Sequence, residues 1–117
     1  MITEDYVSFE TAKLFKEKGF NWECKTRKFY PEPEYDQESP DGVYAPTLQI
    51  AMKWLREVHN IHVVPKFDFY AGDYTGRIYD GRRESTAEKD DYIAIVGNNT
   101  YEEACEAAIK YCLENLI

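Results

Sequence analysis

The sequence predicts an α+β domain in two layers, a three-stranded antiparallel sheet packed on one side by two helices, with an additional helix at the N-terminus. Three observations predict it. Apolar residues recur at helical spacing after Pro46, strand-like runs follow between Ile61 and Val96, and a second helical pattern fills the stretch after Thr100. From Pro46 onward the order is therefore helix, strand, strand, strand, helix. With 117 residues, 44% of them hydrophobic, the chain can build one ordinary core and not two, so residues 1–117 read as a single domain.

Ser8 is a natural cap for a first helix running to Lys18, with Gly19 as its left-handed stop. Phe9, Ala12 and Phe15 share one side of it. Residues 21–30 hold β-formers and no helix cap, which predicts a short strand. Residues 31–44 carry three Pro, one Gly and five acids with no base, the composition of an exposed acidic loop. Pro46 suits a first helical turn, where its missing N–H is no loss, and Leu48, Ala51, Met52, Leu55 and Val58 follow on one stripe. Ile50 and Trp54 widen that stripe until only Gln49, Lys53, Arg56 and Glu57 are left for water. The helix should be central, with Trp54 and Leu55 in the core.

Asn60 tolerates the left-handed conformation that ends such a helix. The run after it sets Ile61, Val63, Phe67 and Phe69 on one strand face, and Pro65, which cannot donate to a ladder, predicts an edge or a bulge. Gly72 and Gly76 are expected to flank a turn, with Arg77, Ile78 and Tyr79 beginning the returning strand. Residues 81–91 are polar throughout and read as a second loop. Tyr92 to Val96 is a nearly continuous apolar run, consistent with a central strand covered on both faces. Thr100 and Glu103 form a capping box for the last helix, on which Tyr101, Ala104, Cys105, Ala108, Cys112 and Leu116 make one stripe that Ile109 and Leu113 broaden.

Charge narrows the classes of partner. Asp plus Glu number 22 against 14 Lys plus Arg, a formal net charge of −8, so nucleic acid and anionic membrane are disfavoured as bulk electrostatic targets. A basic protein partner would be drawn in by the same field. Charged residues break up the first twenty positions, leaving no signal-peptide core, and no run approaches the ~20 apolar residues of a membrane span. The location expected is cytoplasmic. Cys24, Cys105 and Cys112 include no C-x-x-C pair, which fits reduced thiols.

No metal or other cofactor is expected. His59 and His62 straddle a helix end instead of forming an i, i+4 pair, and Cys105 and Cys112 sit among Ala and Leu, where a thiol packs as a small hydrophobe. No catalytic residue is assigned either, since no G-x-S-x-G or Gly-rich phosphate loop occurs. The constellation that stands out is Lys66, Tyr70, Tyr74, Arg77, Tyr79, Arg82 and Arg83 around one hairpin, because Arg and Tyr dominate binding hot spots and stack on bases. Lys25, Arg27 and Lys28 beside Phe29 and Tyr30 form a second basic patch. The last helix is apolar over more than half its circumference, which points to an association surface at Tyr111 and Leu113 for a homodimer or a partner protein.

Two resemblances follow from these strings. SFETAKLFKEKGF, APTLQIAMKWLREVHNIHV and YEEACEAAIKYCLENLI resemble segments of small proteins of gut Bacteroidales and their phages; that resemblance implies a phage or mobile-element accessory role and carries no functional residue with it. From Pro46 the element order resembles the double-stranded RNA-binding domain, as does the small-residue spacing of TYEEACEAAIKYCLENL. That family places Lys residues at the start of its last helix to grip phosphates, whereas this chain has Tyr101, Glu102 and Glu103, which would repel them. The function expected is a non-enzymatic interaction protein that binds a host or phage protein. The alternatives are a small-ligand or nucleotide binder using the Tyr/Arg hairpin, and a fold like the RNA-binding domain with residual RNA binding.

Overall fold

The computed structural model describes residues 5–24, 26–31, 42–82 and 92–117. It is α+β, in the order α1 (Phe9–Glu17), β1 (Arg27–Pro31), β2 (Gly42–Pro46), α2 (Leu48–His59), β3 (Ile61–Asp68), β4 (Asp73–Asp80), β5 (Ile93–Asn98) and α3 (Tyr101–Asn115). The predicted antiparallel sheet is present with strand order β3-β4-β5, and β1 pairs with β2 in a separate two-stranded sheet. No helix is long and apolar enough to cross a membrane among the described residues.

Side-chain chemistry sets the helix ends. Ser8, Thr47 and Thr100 each stand in extended conformation and accept through the side chain from the N–H of Thr11, Ile50 and Glu103. Asn60 ends α2 at φ 54°, and Gly19 follows α1 at φ 89°, as the sequence predicted. Pro46 is not the first helical residue. It closes β2, and its carbonyl accepts from Val7 N–H at 3.1 Å, so Thr47 takes the capping role instead. The acidic loop is narrower than expected for the same reason: Pro31 and residues 42–44 belong to strands, with Pro31 paired to Gly42 and Phe29 to Tyr44. Residues 32–41 lie outside the described residues. Of the strand predicted at 21–30, only its second half forms.

Two further expectations are corrected. Gly76 does not flank a turn but lies in the middle of β4, paired with both Pro65 and Ile95, and the turn is closed by Gly72 at φ 72°. The run Tyr92 to Val96 does not form the central strand. In the order β3-β4-β5 the centre is β4, and Val96 on β5 is 71% exposed. Pro65 does mark an edge strand, β3.

The helices share one side of the large sheet. α3 lies against all three strands, α2 packs on β3 and α3, and α1 rests on α3 and β2. Between the layers, Phe15, Trp54, Leu55, Ile61, Ile78, Ile109 and Leu113 are fully buried. Val58, predicted on the core stripe of α2, is half exposed near the helix end. α3 comes unusually close to the sheet because its inner stripe is small. A Cβ placed at Gly76 would stand 2.8 Å from the carbonyl oxygen of Ala104 and 2.9 Å from Ala108 Cβ. Glycine is required there by proximity, with no left-handed φ involved.

α1 also covers part of the α3 face expected to serve as an association surface for a homodimer or a partner protein. Its N-terminus is fixed to α3 by Glu106, whose Oε1 accepts from Ser8 N–H at 3.0 Å and from the buried Thr11 hydroxyl at 2.7 Å. Lys110 on α3 pairs with Glu10 on α1 at 2.9 Å. Leu113, expected on an association surface, is therefore wholly buried inside its own chain, and Tyr111 is half-buried against the same core.

Urea unfolding tests this packing at two points. Leu55→Ala is expected to cost about 2–5 kcal/mol, and a loss below about half a kcal/mol would place that face outside the core. Gly76→Ala is expected to cost about 1–3 kcal/mol through overpacking. Combined with Ala108→Gly, the loss should be smaller than the sum of the two single losses, whereas an additive loss would mean that the two positions are not in contact.

Candidate functional site

Strand alternation divides the hairpin residues between two faces. On β3 and β4 the residues facing the helices include Ile61, Val63, Gly76 and Ile78; those facing away include His62, Val64, Lys66, Thr75, Arg77 and Tyr79. β5 adds Tyr92, Ala94 and Val96 to the outer set, since Ala94 is paired with Arg77. No described element lies on this outer face. Among the described residues the sheet is covered on one side only, the usual condition of a small antiparallel sheet.

A groove of about 490 Å³ runs over this face, bordered by Lys66, Tyr70, Arg77 and Tyr92 and passing over Thr75, Ala94 and Val96. Its floor is low because threonine, alanine and valine are short, and its walls are high because their neighbours are long. Arg77 places its guanidinium over the Tyr92 ring, 4.6 Å from the centroid, and Tyr79 packs on the same ring at 5.6 Å between centroids. Arg77 Nε is buried and has no hydrogen-bond partner. Neither Lys66 nor Arg77 forms an ion pair among the described residues. Asp68 also borders the groove, but its Oδ1 accepts from the N–H groups of Tyr70 and Ala71 at 3.0 and 3.2 Å and so shapes the turn. That turn holds Tyr70 wholly in solvent and leaves Phe69 85% exposed.

Of the seven hairpin residues singled out, Lys66, Tyr70 and Arg77 border this groove, and Tyr79 stands beside it against Tyr92. Tyr74 has the opposite parity to Arg77, so it faces the helix side, where its ring meets Phe67 at 5.2 Å and Tyr101 at 6.3 Å. Arg82 lies at the far end of β4. It grips both carboxylate oxygens of Asp80 at 2.9 and 3.0 Å and donates to the Leu116 carbonyl at 2.8 Å, which ties the end of β4 to the end of α3. Arg83 lies outside the described residues. Sequence reasoning missed Tyr92, Ala94, Val96 and Phe69. The signal for the first three was alternation within YIAIV, hidden by Ile93 and Ile95 on the other face.

The basic patch at residues 27–30 is spread along the small hairpin. Arg27 stacks on Tyr44 at 3.9 Å and Lys28 on Tyr30 at 4.8 Å. Among the described residues no three His, Cys, Asp or Glu side chains are grouped to hold a metal ion. Burial pushes the Cys105 thiol up to about 11 and that of Cys112 up to about 12, the latter with Asp80 adding to the rise, so neither is a thiolate nucleophile at neutral pH. His62 is engaged with Asn60 Oδ1 at 2.9 Å. His59 rests edge-on against Trp54 with 4.7 Å between centroids, its Nε2 buried and unpartnered. No family model matches the chain, and neither the curated proteins nor the solved structures contain a match.

Burial lowers the pKa of His59, with repulsion from Arg82 as the second cause. A lowered value in the folded state means that the unfolded chain takes up the proton first. The stability of the fold is then highest above the ordinary value of 6.5 and falls as pH drops through the lower folded value. His59→Phe, which keeps an aromatic ring against Trp54, should gain in stability relative to the natural chain between about pH 7 and about pH 5 in paired urea titrations. A constant difference across that range would contradict the assignment.

Proposed function

We propose that this protein is a non-enzymatic interaction module, and that the outer face of β3-β4-β5 is the surface on which a protein partner docks. The observation that carries this reading is the uncovered face itself: an open groove edged by Tyr70, Tyr92, Lys66 and Arg77, with Phe69 and Tyr70 projecting into solvent beside it. Exposed aromatic and arginine side chains grouped on one face are the residue types that dominate protein hot spots. A small-molecule site would enclose its ligand, yet Tyr70 is free of the protein body and Tyr79 is not part of the groove lining. The protonated, buried thiols of Cys105 and Cys112 favour the non-enzymatic reading. The similarity of several of its strings to small proteins of gut Bacteroidales and their phages suggests a phage or mobile-element accessory factor working in the cytoplasm.

Site-specific cross-linking tests the surface. A photo-reactive phenylalanine analogue replaces Tyr70 in one variant and the exposed Glu17 on α1 in another, each expressed in the native host. A discrete protein adduct from position 70, lost when Ala94→Arg fills the groove floor and not seen from position 17, is the expected result. Equal adducts from both positions, or none from position 70, would contradict the docking surface.

A further inference from the structure

The groove also indicates what kind of partner it takes. The field of the whole chain is negative, at −8, which by itself would select a basic target. The groove lining carries Lys66 and Arg77 against the single carboxylate of Asp68, a local balance of one positive charge. Lys66 and Arg77 both border the groove, and neither has a carboxylate partner among the described residues. Arg77 is the more telling of the two. Its guanidinium is fixed over Tyr92, and its Nε–H is shut off from water without an acceptor. The side chain as a whole is only half-buried, so the guanidinium can still form the charge-assisted bond that no described carboxylate supplies. The acidic groups nearby do not fill that place: Asp68 serves the turn, and Asp73, paired with Asp68, stands at the same end.

The spacing of the two cations adds a shape. Lys66 is opposite Thr75, and Arg77 is opposite Val64 and Ala94, so along the sheet the cations stand two residues apart on adjacent strands. Two residues of extended chain span about 7 Å, and side chains at i and i+2 of such a chain point the same way. The short side chains of Thr75, beside Lys66, and Ala94, beside Arg77, leave room for a backbone to approach. We propose that the open face binds an extended acidic segment of a partner protein, with carboxylates at alternate positions, one on Arg77 and the other on Lys66. This rests on the reading of that face as the docking surface and adds the chemistry of its partner.

Fluorescence anisotropy on the full chain tests it with two labelled pentapeptides, capped at both ends. One carries Glu at its second and fourth positions with Val elsewhere; the other has Gln in place of Glu. The Glu peptide is expected to bind saturably at low salt and to weaken as salt rises. Arg77→Gln should reduce its affinity by about tenfold or more, Lys66→Ala by less, and Arg77→Lys should restore part of the loss. Both side chains face outward, so circular dichroism should find all three variants folded. Equal binding of the Gln peptide, no binding of the Glu peptide, or no effect of Arg77→Gln would overturn the proposal. So would displacement of the Glu peptide by a single-stranded oligouridylate, which would turn the face toward nucleic acid. If the peptides fail while the adduct from position 70 still forms, the docking surface stands and only the acidic class falls. If both fail, the surface itself is wrong.

Discussion

The close approach of α3 to β4 at Gly76 is the constraint on which the rest depends. With no side chain on Gly76, and only methyl groups at Ala104 and Ala108, the helix settles within van der Waals contact of the strand backbone. A helix that low on the sheet brings Ile109, Cys112 and Leu113 against Ile61 and Ile78 with no gap to fill. It also makes β4 the central strand by fixing Ile78 under the core while β3 and β5 pair on either side. α2 and α3 then lie on one face of the sheet, and the large side chains of the opposite parity stand on the open face.

The charges are arranged around the same division. On the helix side several are paired and structural: Glu106 receives the start of α1, Lys110 meets Glu10, and Arg82 locks Asp80 to the end of α3. Removing either partner there would loosen the docking of an element. On the open side the cations Lys66 and Arg77 are unpaired among the described residues, and Arg77 is held in position by an aromatic ring instead of a carboxylate. Two arginines on one strand and the turn after it thus have different work. Arg82 closes the fold, and Arg77 is left presenting a donor.

Much of this was legible in the sequence, and the misses have physical causes. Caps are local chemistry, so Ser8, Asn60 and Thr100 could be read directly. The helical stripes and the three strands follow from periodicity, and Pro65 marked its strand as an edge. What sequence could not give was long-range. Gly76 looks like a turn residue until a helix more than twenty positions away is laid over it. The run Tyr92 to Val96 looks doubly buried because its outer residues are themselves apolar, and only the strand order places it at the edge. Leu113 looked like surplus surface because the tie between Glu106 and the start of α1 spans almost the whole chain. The candidate site was half visible, since residue types located the hairpin but only parity separates Tyr74 from Arg77.

Among the described residues, helix packing through Gly76 leaves the outer sheet face uncovered. Solvent paramagnetic relaxation, measured by NMR with a neutral gadolinium chelate in the buffer, addresses it directly. Strong broadening of the side-chain signals of Lys66, Tyr70, Ala94 and Val96 is expected, alongside protection of the side chains of Ile61, Ile78, Ala104 and Ala108. Protection of the first group equal to that of the second would mean that the face is covered in solution and would contradict its exposure.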